Sequence, residues 1–260
     1  DVIYTDLEKA FDKVSHKLLI HKLQSYNLNS QVVEWIISFL SNRKQRVRLN
    51  NSFSDWKHVI NGIPQGSILG PLLFIIYVND IQETCLSGSD LYIYADDSKL
   101  FRYISGENDS LELQSDLNSL SAWFTKWLLK LNINKCKVVS FGRNVLNAHQ
   151  YSIDNIELEH VHHINDLGIT FDVKLNFSLH ISAKVNKANS ILGIIKRNFR
   201  YLSPESFVML YKALVRSHLE YANAVWCPYK KGDISLLEYV QRRATKLITS
   251  IKHLTYLDRL

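Results

Sequence analysis

Leu91-Tyr92-Ile93-Tyr94-Ala95-Asp96-Asp97-Ser98 is the stretch on which the fold turns. Four apolar or aromatic residues in a row suit a strand, Lys99 to Tyr103 offers a second, and Ala95 to Ser98 between them looks like a turn. The segment therefore predicts a β-hairpin with Asp96 and Asp97 at its tip. An Asp-Asp pair in a turn is ordinarily a solvated turn. Here an apolar run delivers the pair from inside a sheet, where adjacent carboxylates are costly unless a cation neutralises them. Val2-Ile3-Tyr4 is a second β-prone run, and Asp6 follows it 90 positions before Asp96. Carboxylates at such strand ends suit a hard divalent ion such as Mg²⁺, which takes oxygen ligands and keeps places for water and phosphate.

Outward from this hairpin the pattern alternates between strand and helix. Leu18, Leu19 and Leu23, then Val32, Val33, Ile36, Ile37 and Leu40, recur at helical spacing, with Asn29-Ser30 as an N-cap between them. Residues 45–49 alternate, Asn50-Asn51 reads as a turn, and 53–60 return as the second arm of a hairpin. A glycine-punctuated loop, Gly62 to Gly70, precedes a buried helix at 71–81. Residues 111–129 form an amphipathic helix with Leu113, Leu117, Leu120 and Phe124 near one face. A strand at 138–141 and short strands between Tyr151 and Phe171 follow. Helices are expected at 181–195, 205–219 and 234–248, the middle one opened by Ser203-Pro204.

The 260 residues are 46% hydrophobic, and 13 Tyr, 11 Phe and 5 Trp exclude a disordered chain. Three scattered cysteines, Cys85, Cys136 and Cys227, make neither a disulfide framework nor a zinc spacing, which points to a reducing compartment. No apolar run reaches membrane length; the longest, Ile68 to Val78, is interrupted by Gly70 and Pro71. His160, His162 and His163 lack the partners of a metal site and fit a polar loop. Net charge is +6, from 31 Lys and Arg against 25 Asp and Glu. From His180 to Leu260 the counts are 14 and 5, or +9; the remainder has 17 and 20, or −3. An acidic region beside a basic one suits a site for cations joined to a surface for phosphates, though a solvated basic helix face would give the same numbers.

Three runs carry a family resemblance. Asp6-Leu7-Glu8-Lys9-Ala10-Phe11-Asp12-Lys13-Val14-Ser15-His16 resembles motif A of reverse transcriptases from non-LTR retrotransposons of the jockey type. Gly62-Ile63-Pro64-Gln65-Gly66-Ser67-Ile68-Leu69-Gly70-Pro71-Leu72-Leu73-Phe74 is similar to their motif B, and Tyr94-Ala95-Asp96-Asp97 to motif C. A lone Tyr-Ala-Asp-Asp is a weak signal; the ordered set is a strong one. Trp123 to Lys137 looks like motif D, Asn165 to Ile181 like the motif E region, and Leu210 to Ala244 like the helical segment beyond it.

The resemblance implies an α+β fold: a right-hand polymerase palm over 1–142, an antiparallel sheet with packed helices, then primer-grip-like strands over 143–178 and an all-helical thumb over 179–260. The fingers that precede motif A in the family are largely absent, so the chain is expected to be part of a longer protein or a truncated copy. It implies RNA-directed DNA polymerase activity with two Mg²⁺ ions, an RNA template, a DNA primer and deoxynucleoside triphosphates, inside the cell, in cytoplasm and nucleus. Asp6, Asp96 and Asp97 would be metal ligands and catalytic, with Asp97 less directly engaged. Lys135 would serve the leaving pyrophosphate, with Lys137 a weaker candidate, and Leu7, Phe11, Gln65 and Gly66 would meet the incoming nucleotide. Phe11 falls where an aromatic ring would exclude a 2′-hydroxyl, and a core phenylalanine would fit the same position. Asp12 reads as an extra carboxylate or a helix-start residue. The basic C-terminal region, with Tyr221, Trp226 and Tyr229 interleaved, would grip a duplex through its phosphates. Two rivals stand: an inactive nucleic-acid-binding remnant, and a maturase-like RNA-binding protein, which the run from Tyr211 to Trp226 disfavours. An RNA-dependent RNA polymerase is disfavoured by Phe11.

Overall fold

The computed structural model of the protein describes residues 1–142, 149–199 and 203–260. They form two compact units. The first is Asp1–Ser140 with the described residues as far as Val161, and the second is His162–Leu260 with Phe141 and Gly142. The boundary expected between 142 and 143 adjoins residues 143–148, which lie outside the described residues.

The first unit opens with β1 (Val2–Thr5), the short α1 (Ala10–Lys13), α2 (His16–Ser25) and α3 (Ser30–Leu40). Asn29 caps α3 as its sequence suggests, its side chain accepting the Gln31 N–H at 2.9 Å. A hairpin follows, in which β2 (Lys44–Gln45) pairs with β5 (Lys57–His58) and β3 (Arg48–Leu49) with β4 (Ser52–Phe53), turning at Asn50-Asn51. The buried helix α4 (Leu69–Val78) leads through a 3₁₀ stretch, Asn79–Thr84, to β6 (Asp90–Tyr94) and β7 (Asp97–Phe101). Helix α5 (Glu107–Lys126) starts earlier than its apolar periodicity implies. Its first turn is set by Asp109, whose carboxylate accepts the N–H groups of Ser105 at 2.8 Å and Gly106 at 3.0 Å. Then come β8 (Lys137–Val139), β9 (Ser152–Ile153), β10 (Ile156–Glu157) and β11 (Glu159–His160).

The main sheet runs β11-β8-β1-β7-β6, with β1 antiparallel to both β7 and β8 and only β11 parallel to its neighbour. Ile3, Leu100 and Val138 on the three central strands are fully buried, in one core with Leu113, Leu117 and Leu120 of α5 and Tyr77 of α4. The architecture is thus the α+β class expected. Lys22 fastens α2 into this core although it is a lysine. It is 3% exposed, donates to Asp80 Oδ1 at 2.6 Å and to the Tyr77 carbonyl, and sits 3.7 Å from the centre of the Trp127 ring. The charge is kept by a carboxylate, a carbonyl and an aromatic face together, as a buried cation requires; burial still pushes its pKa down. The Tyr77 hydroxyl donates to the Trp127 carbonyl at 2.5 Å, and burial raises its pKa to about 12.

The second unit begins with the hairpin β12 (His163–Asp166) and β13 (Ile169–Asp172). The Asp172 carboxylate then accepts the N–H groups of Asn176 and Phe177 at 2.9 and 2.8 Å, leading into α6 (Ser178–Asn198). Helix α7 (Pro204–Leu210) starts on the Ser203 cap, whose side chain accepts the Ser206 N–H at 3.2 Å. The single helix expected over 205–219 is instead α7, a π-helical stretch (Tyr211–Arg216) and α8 (Ser217–Glu220). The core-facing residues Phe207, Tyr211, Val215 and Leu219 recur every four positions. At about 100° per residue an α-helix would carry such a row round by roughly 40° per step. Wider turns keep it on the core. A short α9 (Asn223–Trp226), which the apolar periodicity does not announce, precedes α10 (Lys231–Thr245).

Trp226 corrects an expectation. It is 2% exposed, its indole N–H donates to the Tyr221 carbonyl at 2.8 Å, and its ring lies 5.3 Å from that of His180. It is a core residue, not a stacking surface; Tyr221 and Tyr229 are exposed. His160 lies in β11 and His163 opens β12, and no group of three or more His, Cys, Asp or Glu suited to a metal occurs among the described residues. Among those residues no helix is long and apolar enough to cross a membrane.

Candidate active site

Register brings the aspartates towards one another. The β1–β7 register ends where Thr5 faces Ser98, so Asp6 leaves β1 at the same end of the sheet at which Asp97 opens β7. Between them the strands are fastened by side chains: Thr5 Oγ1 and Ser98 Oγ share a hydrogen bond, and Thr5 Oγ1 also donates to the Ser98 carbonyl at 3.2 Å. In the β6–β7 hairpin Tyr94 faces Asp97, so the turn is the two residues Ala95-Asp96. Asp96 therefore sits at the tip as expected, while Asp97 does not: it is the first residue of β7. The polarity of Ala95 to Ser98 suggests a four-residue turn, but Ser98 is buried beside Thr5 and belongs to the strand. Ala95 has φ 53°, the positive sign that a two-residue hairpin demands at its first central position.

A second chain segment closes over Asp6. Leu7 bridges Leu131, the Glu8 N–H donates to the Lys130 carbonyl at 2.8 Å, and the Asn132 N–H donates to the Asp6 carbonyl at 2.8 Å. That pairing carries the following 3₁₀ turn, Ile133–Lys135, against the aspartate, so that Lys135 Nζ lies 3.5 Å from Asp6 Oδ2. Lys137 is engaged elsewhere, in an ion pair with Glu159. Cys136 is buried next to Asp6, and burial pushes its thiol pKa up. Nothing in the sequence singles out Asn132 and Cys136 as supports of Asp6; only the run that holds them is visible there.

Asp6 Oδ2 is shielded from solvent and accepts no hydrogen bond, its charge being met only by the exposed Lys135 ammonium 3.5 Å away. A buried carboxylate oxygen without a donor is costly, and an oxygen-seeking cation would satisfy it. The donor set here is carboxylate oxygen only, as hard divalent ions prefer. The described residues do not bring three such groups together into a closed cage. The fit is to an open site, which water and phosphate oxygens must complete.

The loop before α4 packs under α1. The Ile63 N–H donates to the Phe11 carbonyl and the Gly62 N–H to the Val14 carbonyl, both at 2.8 Å, and the Gly62 carbonyl lies 2.7 Å from His16 Nε2. Gly62 has φ 89°, and a Cβ on it would meet the Asp12 carbonyl oxygen at 2.8 Å. Gly66 also has a positive φ, 82°, but a Cβ there meets nothing within 4 Å. The exposed Gln65 side chain donates to Asp12 Oδ1 at 3.2 Å. Asp12 is thus tied to the Gln65 loop. Phe11 stacks on Phe74 with ring centres 4.6 Å apart. Both rings line a cleft of about 520 Å³ whose wall also includes Ile93, Tyr94 and Ala95 of the hairpin. The Leu7 side chain is buried, so what Leu7 offers a ligand is backbone.

Residues 2–202 match the sequence profile of the family described as "Reverse transcriptase (RNA-dependent DNA polymerase)". The chain belongs to the reverse transcriptase family. Among curated proteins it is similar to "RNA-directed DNA polymerase from mobile element jockey" of Drosophila funebris, 28% identical over 95% of this chain and 28% of that protein. It is similar also to "Probable RNA-directed DNA polymerase from transposon BS" of Drosophila melanogaster, 27% identical over 96% of this chain and 29% of the relative. A third relative, from transposon X-element of the same species, is 26% identical over 95% of this chain. The chain spans less than a third of the length of these relatives.

Proposed function

We propose that the chain is the palm and thumb portion of an RNA-directed DNA polymerase of a non-LTR retrotransposon, acting inside the cell. In this reading the first unit supplies the palm and the helices of the second supply the thumb. The reaction is attack of a DNA primer 3′-hydroxyl on the α-phosphate of a deoxynucleoside triphosphate, with RNA as template. The observation that supports it is the pairing of β1 with β7, which puts Asp6 at the same end of the sheet as the Ala95-Asp96 turn.

Asp6, Asp96 and Asp97 would hold the two Mg²⁺ ions. When bound, such ions activate an attacking hydroxyl and neutralise a leaving pyrophosphate. The protein's own contribution is positioning and charge. Phe11, braced by Phe74, forms a rigid wall of the cleft where a ribose 2′-hydroxyl would have to fit. Gln65, at the apex of its glycine-flanked loop, reaches the nucleotide once released from Asp12. Lys135, held near Asp6 but largely exposed, is free to swing its ammonium to the departing phosphates and give up a proton from Nζ.

The test is primer extension on an RNA template by the 260-residue chain, with Asp96→Ala as the control. Template-dependent extension that Asp96→Ala abolishes supports the proposal. If the chain binds primer–template but extension is absent, or survives Asp96→Ala, the polymerase reading of these residues fails and a binding role replaces it.

A further inference from the structure

The hairpin of β2 to β5 serves no core. Every residue from Lys44 to His58 is exposed, yet the segment contains Val47, Leu49, Phe53 and Trp56. With Arg43 just before it, the ribbon holds five cations, Arg43, Lys44, Arg46, Arg48 and Lys57, against the single anion Asp55. None of the five forms an ion pair among the described residues; the one close side-chain bond, from Arg48 Nε, goes to the Asn50 carbonyl at 3.1 Å. Exposed rings and unneutralised cations on one narrow ribbon need an occupant.

The two faces differ. Successive strand residues point to opposite sides, so Lys44, Arg46 and Arg48 share one face. Phe53 lies directly across from Arg48, and the Arg46 guanidinium lies 3.9 Å from the centre of the Phe53 ring and 4.6 Å from that of Trp56. This face is a ladder of guanidinium and aromatic planes. Val47 and Leu49 occupy the other face, with Gln45 and the Lys57 that pairs with it. The base of the ribbon is fixed: Asn61 bridges Ser15, and the chain runs straight on through Gly62 into the Gln65 loop. The ladder is held on the same frame as the candidate site.

We propose that this ladder face binds single-stranded nucleic acid, bases stacking on Phe53, Arg46 and Trp56 while phosphates meet Lys44 and Arg48. Charge selects a polyanion, and flat rings favour a strand whose bases are free to leave their own stack over a closed duplex. The inference goes beyond the polymerase reading, because such binding needs neither metal nor triphosphate.

The test is fluorescence anisotropy of a labelled oligouridylate titrated with the full 260-residue chain, without Mg²⁺ or nucleotide, so a failure of polymerisation leaves it untouched. Trp56→Ala should weaken binding roughly 5- to 100-fold, with Trp56→Phe close to wild type. Replacing Lys44, Arg46 and Arg48 by Gln, which removes the two phosphate contacts of Lys44 and Arg48, should reduce the slope of log affinity against log salt by about 1.4. Because these side chains are exposed, unchanged thermal unfolding should accompany both losses. Wild-type affinity in Trp56→Ala, or an unchanged salt slope in the triple variant, overturns the proposal. So does wild-type RNA binding in all of them combined with a change of solution mass in Val47→Ser/Leu49→Ser, which would assign the ribbon to a second copy of the chain.

Discussion

Replacing Gly62 by alanine tests the packing of the nucleotide-side loop more sharply than any change to the aspartates. The position is constrained twice, since φ is 89° and a Cβ would lie 2.8 Å from the Asp12 carbonyl oxygen and 2.9 Å from its Cα. Neither side can retreat cheaply. Gly62 is bonded through its N–H to Val14 and through its carbonyl to His16, and Asp12 lies within α1. Left-handed backbone costs an alanine about 1–2 kcal/mol, and forcing a methyl into a closed contact adds about 1–3 kcal/mol. Gly66→Ala is the internal reference, because its φ of 82° carries the conformational cost while its Cβ meets nothing. Urea unfolding of the two variants should therefore differ by about 1–3 kcal/mol, with Gly62→Ala the less stable and the slopes against urea equal. Primer extension should show a raised KM for deoxynucleotide in Gly62→Ala, because the displaced loop bears Gln65. Equal losses in the two alanine variants would refute the close approach as the reason for glycine at 62.

Two further outcomes follow from the same geometry. Phe11→Val removes the ring that walls the cleft beside Phe74, and the preference for deoxy- over ribonucleotides, read as the ratio of kcat/KM values, should fall about 10- to 100-fold; an unchanged ratio would return Phe11 to the core. His180 is buried, its Nδ1 accepts the Thr170 N–H at 3.1 Å, and burial, with Lys184 nearby, lowers its pKa. A depressed histidine contributes stability that is present above its unfolded pKa near 6.5 and is lost as pH falls through the folded value. Urea midpoints of the wild type should therefore fall below about pH 6.5 more steeply than those of His180→Asn, whose side-chain oxygen can still accept from Thr170; parallel pH profiles would remove His180 from the account.

Local elements are legible in the sequence because each rests on neighbours in the chain. The Asn29 and Ser203 caps and the hairpin around Asn50-Asn51 lie where their residues indicate, and α5 keeps the expected apolar face though it starts a turn earlier. What is not legible depends on distant partners. The polarity of Ser98 argues for a turn that includes Asp97, but Thr5, 93 positions away, gives Ser98 a partner inside the core and lets β7 begin at Asp97. The place of Trp226 in a basic region with Tyr221 and Tyr229 argues for a surface ring; His180 and the Tyr221 carbonyl bury it. The π-helical stretch follows from a four-residue apolar repeat that is present in the sequence but is easily read as ordinary helix. In the site, motifs mark Asp6 and Asp96, whereas the clasp of Leu131 and Asn132 on Leu7 and Asp6 emerges only when the chain folds.

The place of β1 in the sheet has a consequence in time. It is the middle strand, yet it is made before either neighbour: its partners end at Phe101 and Val139. At about 5–20 residues per second, a ribosome needs roughly 7–27 s to reach Val139 after completing Thr5. Until Phe101 is made, a β-prone segment with two open edges and a fully apolar Ile3 has no native mate, and one edge stays open until Val139, the condition under which nascent chains pair wrongly or recruit chaperones. Completion of the sheet that carries Asp6 consequently waits on segments made about 90 to 130 residues after it, and slow codons or pauses between Thr5 and Val139 should lower the yield of folded protein far more than pauses beyond them.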